Sequence, residues 1–113
     1  MFKFQNSVTY EQLSLFAKDI FVFSGRLPTY ESNGLIKHLR NLASTAIQDY
    51  AEGTIRPSKF GATSLERCIV TIAKISTVID LCHLLGYIDK PTHEKGLWSC
   101  NDMVKRLYEA QKS

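Results

Sequence analysis

The sequence predicts an all-α protein, an antiparallel up-down-up-down four-helix bundle, on two observations. Apolar residues recur at intervals of three and four in four successive runs, the spacing that gives a helix one face to bury. The first three runs each close at glycines and prolines, and connections that short place consecutive helices antiparallel. A chain of 113 residues without a visible linker builds one core, so residues 1–113 are a single domain.

The first helix spans 10–24. Thr9 and Gln12 have the spacing of a capping box, and Leu13, Phe16, Ala17, Ile20 and Phe23 follow at helical intervals until Gly25 and Pro28. Ahead of it Phe2 and Phe4 alternate with Lys3 and Gln5, a pattern that suits a short extended arm. The second helix spans 30–52: Thr29 is its expected N-cap, Leu35, Leu39, Leu42, Ala46 and Tyr50 share a face, and Gly53 offers a left-handed C-cap. The third spans 58–85, opened by Pro57 and ended by Gly86, with Leu65, Cys68, Ile69, Ile72, Ile75 and Ile79 as its stripe. After the turn Asp89-Lys90-Pro91 the fourth spans 92–110 and carries Leu97, Cys100, Val104, Leu107 and Tyr108.

At about 100° per residue the third helix is apolar twice over, with Val70, Val78, Leu81 and Leu85 roughly opposite the Leu65/Ile69/Ile72/Ile79 face. Leu15 and Val22 repeat the theme on the first helix. One core does not bury both faces, so these six residues are expected subunit contacts in a homo-oligomer. The plainer alternative is a third helix covered on all sides by its own chain.

Apolar content of 44% with three prolines marks a folded chain, and the apolar stretches are broken well short of the roughly 20 residues of a membrane span. The start of the sequence lacks the layout of a signal peptide, and three cysteines without C-x-x-C pairing suit a reducing compartment, so the expected location is cytoplasmic with no membrane partner. The net charge of +3 is local: 35–75 holds Lys37, Arg40, Arg56, Lys59, Arg67 and Lys74 against Asp49, Glu52 and Glu66, while both flanks balance. A localised basic surface attracts polyanions, and these six side chains are the expected contacts to RNA or DNA phosphates. An ordinary solvated helix surface is the competing explanation.

No phosphate-cradling, dinucleotide, nucleophile-elbow or metalloprotease motif occurs. His38, His83 and His93 fall on three elements without the i, i+4 spacing of a helical metal pair, and no cofactor is implied. His38, Thr45 and Asp49 follow one edge of the second helix. His38 and Asp49 lie over about 15 Å apart along the axis, too far for a base and its orienting partner. The expectation is a protein that is not an enzyme.

Tyr10-Glu11-Gln12-Leu13 leads the first helix, Leu39-Arg40-x-x-Ala43 continues to Ala51-Glu52-Gly53, and a basic turn and a long helix closing in Leu85-Gly86-Tyr87-Ile88 follow. This order resembles the four-helix-bundle family named for the 23S rRNA intervening-sequence protein, and is similar to the accessory proteins of diversity-generating retroelements. The likeness covers nearly the whole chain on short motifs. It implies an antiparallel four-helix bundle, a barrel-like homopentamer, binding of structured nucleic acid and, in the retroelement branch, contact with a reverse transcriptase. Arg56 and Lys59 match the family's basic loop. Ile47 stands where its pattern has a proline, so the second helix should be straighter, and Asp49 stands where it has an asparagine and Tyr50 where it has an aliphatic residue. Two further functions compete with nucleic-acid binding: a protein-interaction module that docks a reverse transcriptase or other protein, and a self-assembling scaffold with no polyanion ligand.

Overall fold

A computed structural model describes residues 1–112, with side chains through 111; Ser113, the last residue of the expected domain, lies outside the described residues. Four helices, α1 (Val8–Ser24), α2 (Leu35–Ile55), α3 (Ser58–Leu84) and α4 (Lys90–Lys112), form the bundle, with no strand among the described residues. Each helix packs on the next and α4 returns to α1, giving a body 43 × 24 × 22 Å. Side-chain contacts show the alternation of direction. Tyr10 at the start of α1 meets Tyr50 near the end of α2, Glu52 meets Arg67 across the α2–α3 hairpin, and Asp80 near the end of α3 meets His93 at the start of α4. α1 and α3 therefore occupy opposite corners.

Much of each predicted stripe is in the core: Leu13, Phe16 and Ile20 from α1, Leu39, Ala46 and Tyr50 from α2, Cys68, Ile72, Ile75 and Ile79 from α3, and Cys100 and Leu107 from α4; Ala43 and Met103 join them, whereas Tyr108, expected in the α4 stripe, is half exposed. Gly86, the expected end of the third helix, takes the left-handed conformation, φ +78°. The Tyr87 amide bonds the Cys82 carbonyl and the Gly86 amide that of His83, the paired bonds that close a helix by a Schellman turn.

Four expectations are corrected. The N-terminal arm is a 3-10 turn, Lys3–Asn6, with Phe2 stacked on Phe4 at 5.8 Å; two alternating pairs are too few to specify a strand without a sheet to join. The cap of α1 is Ser7, whose hydroxyl accepts from the Tyr10 amide at 3.1 Å, so the helix starts before Thr9. The second run is divided: Thr29–Glu31 is a 3-10 turn and α2 begins only at Leu35, where Glu31 accepts the first amide at 3.3 Å.

The fourth is Gly53, which is helical and ends nothing. A Cβ on it would lie 2.6 Å from the Leu65 side chain and 3.0 Å from the Gly61 carbonyl oxygen, and one on Gly61 would lie 2.4 Å from the Gly53 carbonyl oxygen. The two glycines let α2 and α3 cross almost backbone to backbone. Their lack of a side chain is used for closeness and not for a turn.

Candidate nucleic-acid interface

The hairpin between α2 and α3 holds half of the expected phosphate contacts. Pro57 starts α3 two residues after α2 stops, so Arg56 and Lys59 project from the tip of the bundle. Arg67 stands two turns up α3, facing the end of α2.

Glu52 organises this corner. Its carboxylate accepts from the Ser64 hydroxyl at 2.5 Å and from the Arg67 guanidinium, which also reaches Ser64 at 3.0 Å and Asp49 at 3.8 Å; Arg56 approaches Glu52 from the turn at 3.6 Å. The Ser64 hydrogen bond, with Arg67 and Arg56 beside it, holds the Glu52 carboxyl below its usual range. At Asp49 burial outweighs Arg67 and pushes the carboxyl up. Arg67 thus spends much of its charge inside the hairpin. Arg56 keeps one long pair and lies over the exposed Phe60 ring, 5.6 Å from guanidinium carbon to centroid. Lys59 makes no ion pair among the described residues.

The other three cations lie elsewhere. Arg40 is sixteen positions from Arg56 on the same helix, about 24 Å along the axis. It is turned toward α1, donating to the Ser24 hydroxyl at 2.8 Å and the Phe21 carbonyl at 3.4 Å while lying 5.3 Å from the centre of the Phe21 ring. It locks α1 to α2. Lys37 and Lys74 are exposed without an ion pair among the described residues, and the Gly53/Gly61 crossing sets Lys74 level with Arg40 rather than with the tip. The six cations form a tip cluster and a distant group, not one window.

The second apolar strips are largely outside. Val70 is 51% exposed, and Leu15, Val22, Leu81 and Leu85 are exposed to similar extents. Val78 is corrected: at 7% exposure it packs into the core, because the angular spread of a buried helix's contact face includes it. Leu84, absent from the sequence-derived strip, is exposed in its place.

Nucleophilic chemistry finds little purchase. Cys68, Cys82 and Cys100 are buried, and burial pushes their thiols up to about 12, 11 and 12. Thiolates are scarce at neutral pH on such groups. His83 and His93, scattered in sequence, stack face to face at 4.3 Å where α3 meets α4, with the His93 Nε2 2.7 Å from Asp80. The His83 Nδ1 meets the Ile88 carbonyl at 3.3 Å, so the two rings turn nitrogens to different partners, and no group of three metal-ligating side chains gathers among the described residues.

Two features of the tip escaped sequence reasoning. The Glu52–Ser64–Arg67 network joins residues twelve and fifteen apart, which no helical period relates. Phe60 was legible only as the apolar residue after Lys59, outside the core stripe of its helix. Compared with protein-family models, with curated proteins and with solved structures, the chain gives no match in any of the three.

Proposed function

We propose that this chain is a non-enzymatic, self-associating four-helix bundle that binds RNA or DNA through phosphate contacts at the α2–α3 tip. The observation that carries it is the exposed Arg56 beside Lys59, which makes no ion pair among the described residues, at the α2–α3 hairpin, with Glu52 and Asp49 already engaged by Arg67 and Ser64. Lys37 and Lys74 extend the surface for a ligand long enough to reach them, while Arg40 and Arg67 serve mainly as structural cations. Phosphate contacts position a nucleic acid without reading its sequence, so specificity is low and salt dependence strong. Self-association through the α1 and α3 strips, as the homopentamer that the family resemblance implies, would repeat the tip around a ring. No described helix is both long and apolar enough to cross a membrane, and a cytoplasmic location suits the three free thiols.

The test is titration of nuclease-treated protein with a structured RNA and a duplex DNA from low to physiological salt. Binding should weaken with a log-log slope of about 0.9 per phosphate neutralised, and Arg56→Glu with Lys59→Glu should abolish it without altering native mass. Affinity retained by that double variant removes the tip from the interface. The exposed strips favour a second reading, a protein-docking module for a reverse transcriptase or another protein, and absence of nucleic-acid binding at low salt selects it over the first.

A further inference from the structure

The two exposed strips carry charge as well as apolar side chains. Along α1 the strip reads Leu15, Asp19, Val22, Arg26, and along α3 it reads Glu66, Val70, Lys74, Leu81, all exposed. Intervals of three, four and seven residues keep each set within about 100° of helical arc. None of the four charged side chains makes an ion pair among the described residues. Each strip thus holds a free charge near its middle, Asp19 on one and Lys74 on the other. The neighbours of these two charges select how the strips mate. Run antiparallel with Asp19 opposite Lys74, Val22 comes level with Val70 and Arg26 with Glu66, each to within one residue, about 1.5 Å along the axis. Leu81 comes level with Gln12, over the open hollow of about 210 Å³ that Gln12, Leu15 and the exposed Trp98 line between α1 and α4. The alternatives set like charges together or reach a cation already engaged. Parallel strips put Glu11 against Glu66 and Arg26 against Leu81. Sliding the antiparallel pair by two turns puts Arg26 on Lys74 in one direction, and Asp19 on Arg67, which Glu52 and Asp49 already hold, in the other.

We infer that the partner of the α1 strip is the α3 strip of a second copy, docked antiparallel with Asp19 on Lys74 and Arg26 on Glu66. The inference rests on the self-association reading and adds a direction to it. Complementary charges at a contact set its register and penalise the wrong ones, which is the part these four side chains play here. α1 and α3 of one copy run the same way, so each antiparallel contact turns the next copy over and copies alternate along a row. Rotation by a fifth of a turn cannot reverse a helix, so this register replaces the five-fold ring that the family resemblance implies. Lys74, held at the contact, leaves phosphate binding to the tip and Lys37.

Sedimentation equilibrium of the nuclease-treated full chain measures how tightly copies associate, and circular dichroism confirms that each variant folds. Asp19→Lys and Lys74→Asp should each weaken association on the order of tenfold, and the two in one chain should restore it, because every contact then pairs the exchanged charges. Glu66→Arg separates the two directions. Antiparallel docking sets the new cation against Arg26 and weakens association, and Arg26→Glu in the same chain restores it; parallel docking relieves Glu11 and strengthens association instead. Association unchanged by the single reversals, not restored by the paired ones, strengthened by Glu66→Arg or closed at five copies overturns the inference and leaves self-association standing. A parent that stays monomeric at every concentration overturns both and leaves the strips to a different protein.

Discussion

Asp89, in the turn that leads into α4, caps that helix. Its carboxylate accepts the Thr92 amide at 2.9 Å, satisfying one of the amides a helix start leaves open, and adds negative charge where the helix dipole favours it. Thr92, through its hydroxyl and its amide, holds the Asp89 carboxyl below the usual range, and His83 adds to the effect. A depressed folded value contributes stability that is present above the unfolded value of about 3.9 and lost as pH falls through the folded one. Asp89→Ala should therefore lower the thermal midpoint at neutral pH, and its gap to the parent should close as pH drops below about 4. A gap constant across that range would show that the charge contributes nothing. Asp49 works in the opposite sense: its carboxyl is raised by burial, so its protonation favours the fold as pH falls.

At the scale of elements the α2–α3 crossing decides how the tip is built. Alanine for glycine inside a helix ordinarily gains about 0.5–1 kcal/mol. At Gly61 the new Cβ meets the Gly53 carbonyl oxygen, which is backbone and does not rotate away. Gly61→Ala should thus destabilise by about 1–3 kcal/mol in chemical denaturation. Gly53→Ala meets the Leu65 side chain at 2.6 Å and the Gly61 carbonyl oxygen only at 3.0 Å, and should cost less because a side chain shifts more readily than backbone. A stabilised Gly61→Ala would mean the helices separate readily. This crossing also shows where sequence reasoning stops. The stripes of α1 to α4 were legible because period alone sets which residues face a core, and Gly86 because its left-handed cap is a local device. Gly53 looks the same in sequence whether it ends a helix or admits a neighbour, and only its partner eight residues on, in the next helix, distinguishes the two. The same holds for the site: Arg56 and Lys59 were visible as turn cations, whereas the engagement of Arg67 by Glu52 and of Arg40 by Ser24 depends on which helices touch.

For the whole molecule, the arrangement of the apolar strips bears on how copies would assemble under the proposed self-association. Leu15 and Val22 belong to α1, Val70 and Leu81 to α3 and Leu85 to its C-cap, and these helices stand at opposite corners. A two-fold contact uses the same patch on both partners, so it would cover one strip and leave the other wet. A head-to-tail contact, α1 of one copy on α3 of the next, covers both and closes a ring if the rotation permits. Leu15→Glu and Leu81→Glu each spoil one strip at an exposed position, with little effect expected on the fold. Under head-to-tail assembly each variant alone should be monomeric by native mass, because every contact needs one intact strip of each kind. Mixed in equal amounts, they should form a one-to-one dimer through the α3 strip of the Leu15→Glu copy and the α1 strip of the Leu81→Glu copy. Under a two-fold contact one variant alone would still dimerise and the mixture would add nothing. Both variants retaining the parent's mass would remove the strips from the interface, leaving them for a different protein partner.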